Sequence, residues 1–379
     1  MTVPLKYKYT LFSLLIVLIT SLWARNIYLL FGFSIMCWII IPHKKLWDNS
    51  AVSLLVFSLF YGLMIFMNNR LESGLYLLSY LIAPVAFYRL GRWSMTIIRK
   101  EYSRQFFLLI SILCYLIYLF IITFKDIAIV GIVNETRKLL GDLKDDTLNA
   151  TLYGMTTSIG IGCIGSIFTN KQNIWLKSGY IIVSMLSLLT IIHLVNRTGL
   201  ITCLCCILGT LIFSTKYNIS KKIGILFIIL FVGFIIIRAD IIEQDILDAY
   251  SKREDNSTYG TSTAGGRSYK WSMALENLFK FPMGWDDRDG HAHNLWLDIA
   301  RVSGILPLLP FLLTTYSHLK NILYLIRKQT KSNFVILLIS INIAMLLSSF
   351  VEPVIEGSLL FFCILMMIWG ITKNIAMEN

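Results

Sequence analysis

Apolar runs of about 15 to 23 residues recur along almost the whole chain, broken by short polar stretches. A helix needs about 20 apolar residues to cross the hydrocarbon core of a bilayer. Within lipid the backbone must satisfy its own hydrogen bonds, so such runs form helices rather than isolated strands. The pattern predicts twelve segments, near residues 9–23, 27–41, 51–67, 74–88, 106–124, 151–169, 178–194, 198–213, 223–238, 294–316, 334–350 and 357–372. The predicted fold is therefore an all-α polytopic membrane protein of about twelve transmembrane helices, one membrane domain over residues 1–379.

Composition agrees, at 56% hydrophobic and 15% charged residues. The net charge of +12 would suit a nucleic-acid binder, but its distribution says otherwise. With the N-terminus inside and the segments alternating, both termini are cytoplasmic, and the cytoplasmic side holds 19 of the 34 basic residues against three acids. The opposite side keeps 15 basic and 19 acidic residues, as the positive-inside rule requires. The basicity is topology, and no nucleic-acid partner is expected. Lys6 and Lys8 precede an apolar run without a small-residue cleavage site, which reads as a retained first helix.

All seven cysteines lie in apolar segments, so no disulfide framework is predicted. Cys203, Cys205 and Cys206 are close in sequence but have no polar partner nearby, and read as small packing residues.

Two extracytoplasmic stretches stand out. The first loop, 125–150, carries Arg137. The second, 239–293, is the longest non-membrane stretch. It contains a mixed helical run from Asp240 to Arg253, a Ser/Thr/Gly linker, and an amphipathic pattern from Arg267 to Phe281, ended by Pro282 and Gly284. Trp271, Ala274, Leu275, Leu278 and Phe279 recur there at helical spacing, fit to lie on the membrane face or on neighbouring helices. No internal repeat is visible, which argues against a transporter built from two similar halves.

Candidate chemistry gathers at the end of the second loop, in His291-Ala-His-Asn-Leu-Trp-Leu-Asp298. His291 and His293 are two apart, so on a helix they point in different directions and one of them faces the site. A polar helix start at the water interface would explain histidines alone. Asp298 and Arg301 further along the same segment favour function, because ionisable groups entering a membrane span usually face a cavity or a partner. Arg197 sits where two apolar segments meet with almost no loop, either snorkelling to the interface or converging with other polar groups. Arg267 opens the amphipathic helix, where free N–H groups and the helix dipole favour an anion, and its planar fork suits phosphate oxygens. Asp286, Asp287 and Asp289 read as a solvated acidic linker, since nothing fixes them as metal ligands. Glu352 and Glu356 flank Pro353 in the last outer turn and are further candidates for a base, in a turn that needs polar residues anyway.

Three of these pieces, in order, resemble the O-antigen ligase and O-antigen polymerase superfamily of bacterial envelope glycosyltransferases. They are Arg-Thr-Gly-Leu at 197–200, Gly-Arg-x-x-x-Trp with its terminating Pro and Gly at 266–284, and His-Asn-x9-Gly at 293–304. The resemblance covers roughly residues 190–316; the first half matches only in hydropathy. Pro307 stands where the ligase pattern usually has Gly, Thr or Tyr, which tilts the reading towards polymerase.

The resemblance implies a twelve-helix, GT-C-like enzyme of the bacterial inner membrane with its site under a large periplasmic loop. Donor and acceptor would be undecaprenyl-diphosphate-linked oligosaccharides presented by membrane lipid, with inversion at the anomeric carbon and neither metal nor cofactor. His293, Arg197 and Arg267 would be the catalytic residues, and His291, Asn294, Asp298, Arg301, Arg137 and Glu352 would bind substrate. A flippase and a chain-length regulator are the partners the family implies. A ligase, transferring the glycan to lipid A–core, is the alternative within the superfamily, and a protein O-glycosylating relative is a distant one. A lipid-linked oligosaccharide flippase is the alternative of a different class, but it would need ionisable groups near the membrane midplane of several helices.

Overall fold

Seven helices are long and apolar enough to cross a membrane among the residues described by the computed structural model, which are 11, 14, 26–42, 46–68, 70, 73–134, 136, 138–139, 148–169, 173–214, 217–227, 267–285, 290–328 and 332–378. In chain order the elements are α1 (Ile27–Ile40), α2 (Asn49–Met67), α3 (Gly74–Ile97), α4 (Glu101–Val130), β1 (Lys138–Leu139), β2 (Leu148–Asn149), α5 (Ala150–Gly162), α6 (Ile174–His193) and α7 (Arg197–Phe213). They continue with α8 (Arg267–Lys280), α9 (Leu295–Ser303), α10 (Ile305–Lys328), α11 (Asn333–Val351), α12 (Val354–Gly357) and α13 (Leu359–Met377). The spans are α2, α3, α4, α5 with its 3-10 continuation to Phe168, α6, α11 and α13; α1 and α7 are apolar but shorter. Apart from the two-residue strand pair of β1 and β2, the regular structure of the described residues is helical, as in a multi-pass membrane protein. Most of the predicted segment 9–23, most of 223–238, most of the loop 239–293, Arg137 and the acidic run 286–289 lie outside the described residues.

The chain divides into two units. The first comprises residues 1–115, 269–325 and 349–379. Its centre is aromatic: Phe57 of α2, Phe311 of α10 and Phe362 of α13 have ring centroids 4.9 to 5.8 Å apart, and Trp369 stacks 5.9 Å from Phe311. α3 and α13 cross at backbone contact through a reciprocal pair of glycines. A Cβ on Gly91 would lie 2.0 Å from the Met367 carbonyl oxygen, and one on Gly370 would lie 2.1 Å from that of Tyr88. Small residues allow such approach between helices that gain little from hydrophobic burial in lipid. Gly370→Ala is therefore expected to destabilise the protein by about 1–3 kcal/mol, the usual range for overpacking. Thermal melting in detergent checks it.

α3 also corrects the placement of two charges. Arg89 and Arg92, expected in a cytoplasmic connection, lie within the helix at 0% and 4% exposure, because α3 continues through Ile97. Partners make this burial tolerable. Arg89 donates to the Ile41 carbonyl at 3.1 Å and its guanidinium lies 4.9 and 5.3 Å from the ring centroids of Trp38 and Trp47. Arg92 pairs with Asp48 at 3.2 Å, and the same carboxylate caps α2 by accepting from the Ala51 amide.

The second unit comprises residues 116–268 and 326–348. Its core includes Ile161, Ile191, Cys203, Cys206 and Ala344, so the cysteines at 203 and 206 do pack as small apolar residues. Cys206 Sγ lies 3.6 Å from the Ser340 carbonyl. α4 runs on to Val130, so the first loop begins later than residue 125, and the two-residue strands pair antiparallel as Lys138 with Asn149 and Leu139 with Leu148.

One predicted span is divided. The stretch 294–316 forms α9 and then α10, broken at Gly304 with φ of +78°. A Cβ there would meet the Pro282 carbonyl oxygen at 2.2 Å, and that carbonyl accepts the Ile305 amide at 2.9 Å. The turn at 281–285 thus replaces the helical bond that the break removes. Pro307 falls in the first turn of α10, where an N–H has no helical acceptor and its loss costs nothing. At nine residues, α9 is too short to cross a membrane and belongs to the site.

Candidate functional site

The site is built within the first unit by α9, the residues just before it, and the turn 352–358. Asn294 caps α9: its Oδ1 accepts from the amides of Trp296 and Leu297 at 3.1 and 3.2 Å. Asp298 answers by folding back, accepting from the amides of Ala292 at 2.7 Å and Asn294 at 3.0 Å. This is the reciprocal logic of a capping box, carried one position further into the helix. The cap fixes the 291–294 segment and commits both oxygens of a fully buried carboxylate.

Tertiary contacts anchor the same segment. Trp296 donates from Nε1 to Thr315 on α10 at 3.0 Å and packs its ring 4.5 Å from Phe350. Asn294 Nδ2 donates to the Phe350 carbonyl, and Trp271 of α8 donates to the Ala292 carbonyl at 2.9 Å. From the end of α2, Asn68 donates to the carbonyls of Met283 and Val302, and Arg70 to that of Trp285. On α8 the predicted apolar stripe splits: Ala274 and Leu278 are buried, whereas Leu275 and Phe279 share an exposed face suited to a membrane interface.

Both histidines precede α9 rather than lying on it, so the expectation that helical geometry separates them does not hold. Their ring centroids are 6.1 Å apart. His293 adopts φ of +54°, the left-handed region that few residues other than glycine enter. Such strain persists where surrounding contacts over-determine the backbone, here the Asn294–Asp298 cap. The turn directs His293 to Glu352, with Nδ1 3.8 Å from the carboxylate of a residue that is 2% exposed. That is longer than a hydrogen bond.

His291 faces a second glutamate. Its Nδ1 lies 3.2 Å from Glu356 Oε2, and Arg301 spans both oxygens of Glu356 at 2.6 and 2.5 Å. Arg301 Nε also lies 3.6 Å from Asp298. The guanidinium is 2% exposed and thus lies between two carboxylates. His291, Asp298 and Glu356 each offer an atom within 4.8 Å of the others, a set of metal-ligand type, but the Arg301 cation already lies among them.

The electrostatics arise from these contacts. The hydrogen bond to Glu356 holds the His291 imidazole above its ordinary value, against the opposing effect of partial burial. Burial raises the Glu356 carboxyl, but the His291 hydrogen bond and the Arg301 charge outweigh it and leave it below the ordinary range. Burial, and then the charge on Glu356, push Asp298 up to about 7. The raised histidine contributes stability that is complete below pH 6.5 and is lost as pH rises through its folded value. The lowered glutamate contributes stability that is complete above pH 4.5 and is lost as pH falls through its folded value. The melting temperature of the natural protein should therefore exceed that of His291→Gln most between pH 4.5 and 6.5, the gap narrowing at higher pH. Melting curves of both proteins across this range check it.

Of the predicted residues, the fold brings together His291, His293, Asn294, Asp298, Arg301 and Glu352 in the first unit. Arg197 and Arg267 belong to the second. Arg197 opens α7 and Arg267 opens α8, each half-buried. The residue whose role the sequence understates is Glu356, which holds both Arg301 and His291. The available signal was its place in an otherwise apolar stretch four residues after Glu352. No protein-family model matches the chain, and no curated protein is found to be similar to it.

Proposed function

We propose that this protein is a bacterial inner-membrane glycosyltransferase that polymerises undecaprenyl-diphosphate-linked repeat units of O-antigen or a related surface polysaccharide at the periplasmic face. The observation that carries the reading is the ionisable array of His293–Glu352 and His291–Glu356–Arg301–Asp298, assembled around a short helix start in an otherwise apolar, multi-pass chain. Acids, bases and a buried cation concentrated in one place suit acid–base chemistry on a substrate delivered by the membrane. The motifs at 197–200, 266–284 and 293–304 supply the substrate class by resemblance, and the twelve-span topology with inward termini rests on the charge distribution.

In this reading His293 takes the proton from the acceptor hydroxyl, and the hydroxyl oxygen attacks the anomeric carbon of the donor sugar. The bond from that carbon to the diphosphate oxygen breaks, and undecaprenyl diphosphate leaves with the bonding electrons. A single displacement inverts the anomeric centre. Glu352, 3.8 Å from Nδ1, flanks the imidazole that takes this proton. Arg197 and Arg267 stabilise the charge developing on the diphosphate, the task for which fixed cations are most effective. Arg301, held by Glu356 and Asp298, keeps the histidine-bearing segment in place.

Reconstitution in proteoliposomes tests the reading directly. With lipid-linked repeat units as the sole glycan, the protein is expected to release undecaprenyl diphosphate and form lipid-linked polymer. Product that appears only when lipid A–core is added would assign a ligase instead. Repeat units moved across the bilayer without a new glycosidic bond would assign a transporter.

A further inference from the structure

A second polar cluster, in the second unit, is fully buried and plays no part in the chemistry above. His193 ends α6 and Asp126 lies near the end of α4; both are 0% exposed. His193 Nε2 is 2.7 Å from Asp126 Oδ2, and its Nδ1 is 2.9 Å from the Ile132 carbonyl oxygen. Nδ1 must donate, since a carbonyl oxygen only accepts. Nε2 faces the Asp126 carboxylate. Asn134 completes the cluster: its Nδ2 donates to the same Asp126 oxygen at 2.7 Å, and its amide donates to the His193 carbonyl at 2.8 Å.

The turn just beyond His193 gives this cluster a purpose. Val195 has φ of +48°, a conformation that is a genuine outlier for a β-branched residue. Asn196 comes next, caps α7 through the Gly199 amide at 3.0 Å, and donates from Nδ2 to the Ala150 carbonyl at 3.0 Å. Its side chain fills the space beside Gly154, where a Cβ would lie 1.9 Å from Nδ2. Arg197 is the next residue. A turn this unfavourable for valine persists only when both flanks are fixed, and the cluster fixes one while the Asn196 cap fixes the other.

We infer that the buried His193–Asp126 pair, with Asn134, is a positioning device that holds the strained 194–196 turn and so sets the aim of Arg197. This rests on the role given to Arg197 under the proposed function. His193 and Asp126 themselves are sealed from any substrate and act through the turn.

The test compares His193→Phe, Val195→Gly and the double variant with the natural protein, measuring melting temperature and transfer kinetics on lipid-linked repeat units. Phenylalanine keeps the ring volume but donates neither bond; glycine takes the positive φ without cost. His193→Phe is expected to lower kcat at least tenfold with KM little changed, and Val195→Gly alone to stay close to the natural protein. The double variant should regain most of both kcat and melting temperature, a rescue that a general packing defect at His193 would not give. Natural kcat in His193→Phe, or a double variant no better than His193→Phe, would overturn the inference. If the natural protein makes no product, the transferase reading alone fails. The melting temperatures then decide whether the pair braces the turn, since the absence of rescue by Val195→Gly would refute it.

Discussion

Arg301→Met is expected to destabilise the protein by about 3–5 kcal/mol, the cost of removing one partner from a buried ion pair. The carboxylates left behind set the size of the effect. Asp298 is fully buried, and Glu356 Oε1 and Oε2 both depend on the lost guanidinium. Methionine fills much of the volume but leaves two carboxylates facing each other in a medium of low polarity. Adding Glu356→Gln to Arg301→Met should return part of the loss, because the greater cost is the uncompensated charge. Arg301→Lys should also be poorly tolerated, since a single ammonium cannot reach across both carboxylates as the planar fork does. Melting in detergent reads all three; Arg301→Met within about 1 kcal/mol of the natural protein, inside the usual range for an exposed pair, would mean that the array is not the structural centre of the site.

His293→Asn is expected to reduce kcat by about 10²–10⁴-fold, the usual contribution of a positioned general base. Asparagine is the suitable replacement because it tolerates the left-handed backbone that His293 adopts at φ of +54°. The turn and the Asn294 cap should survive, so melting temperature and KM should change little. Glu352→Gln should lower kcat less, because it removes the carboxylate 3.8 Å from Nδ1 while leaving the imidazole in place. Single-turnover transfer with lipid-linked repeat units separates these effects. Full activity in His293→Asn would remove this residue from the mechanism.

Much of this site was legible in the chain because its parts are local. Asn294 and Asp298 cap a helix start within five residues, and Arg301 comes one turn later on the same short helix. The hydropathy pattern likewise exposed the helical, membrane-spanning character. The parts that escaped depend on residues distant in sequence. Glu356 meets Arg301 across 55 positions, and only the packing of α9 against the 352–358 turn makes it central. The break at Gly304 was hidden because its cost is met by the Pro282 carbonyl, so an apolar run that looks continuous conceals two helices. Arg89 and Arg92 looked like loop charges because hydropathy ignores partners; Trp38, Trp47 and Asp48 supply them. The histidines were misplaced for a related reason: a periodicity argument assumed a helix that begins only at Leu295.

The most direct measurement of the central claim is a surface-glycan gel combined with lipid-linked glycan analysis on a strain lacking this gene. The account predicts loss of the polymer ladder, with a single repeat unit still attached to lipid A–core. Bare core with long polymer stranded on undecaprenyl diphosphate would contradict polymerase in favour of ligase. An unchanged ladder with unchanged lipid-linked intermediates would contradict the account altogether.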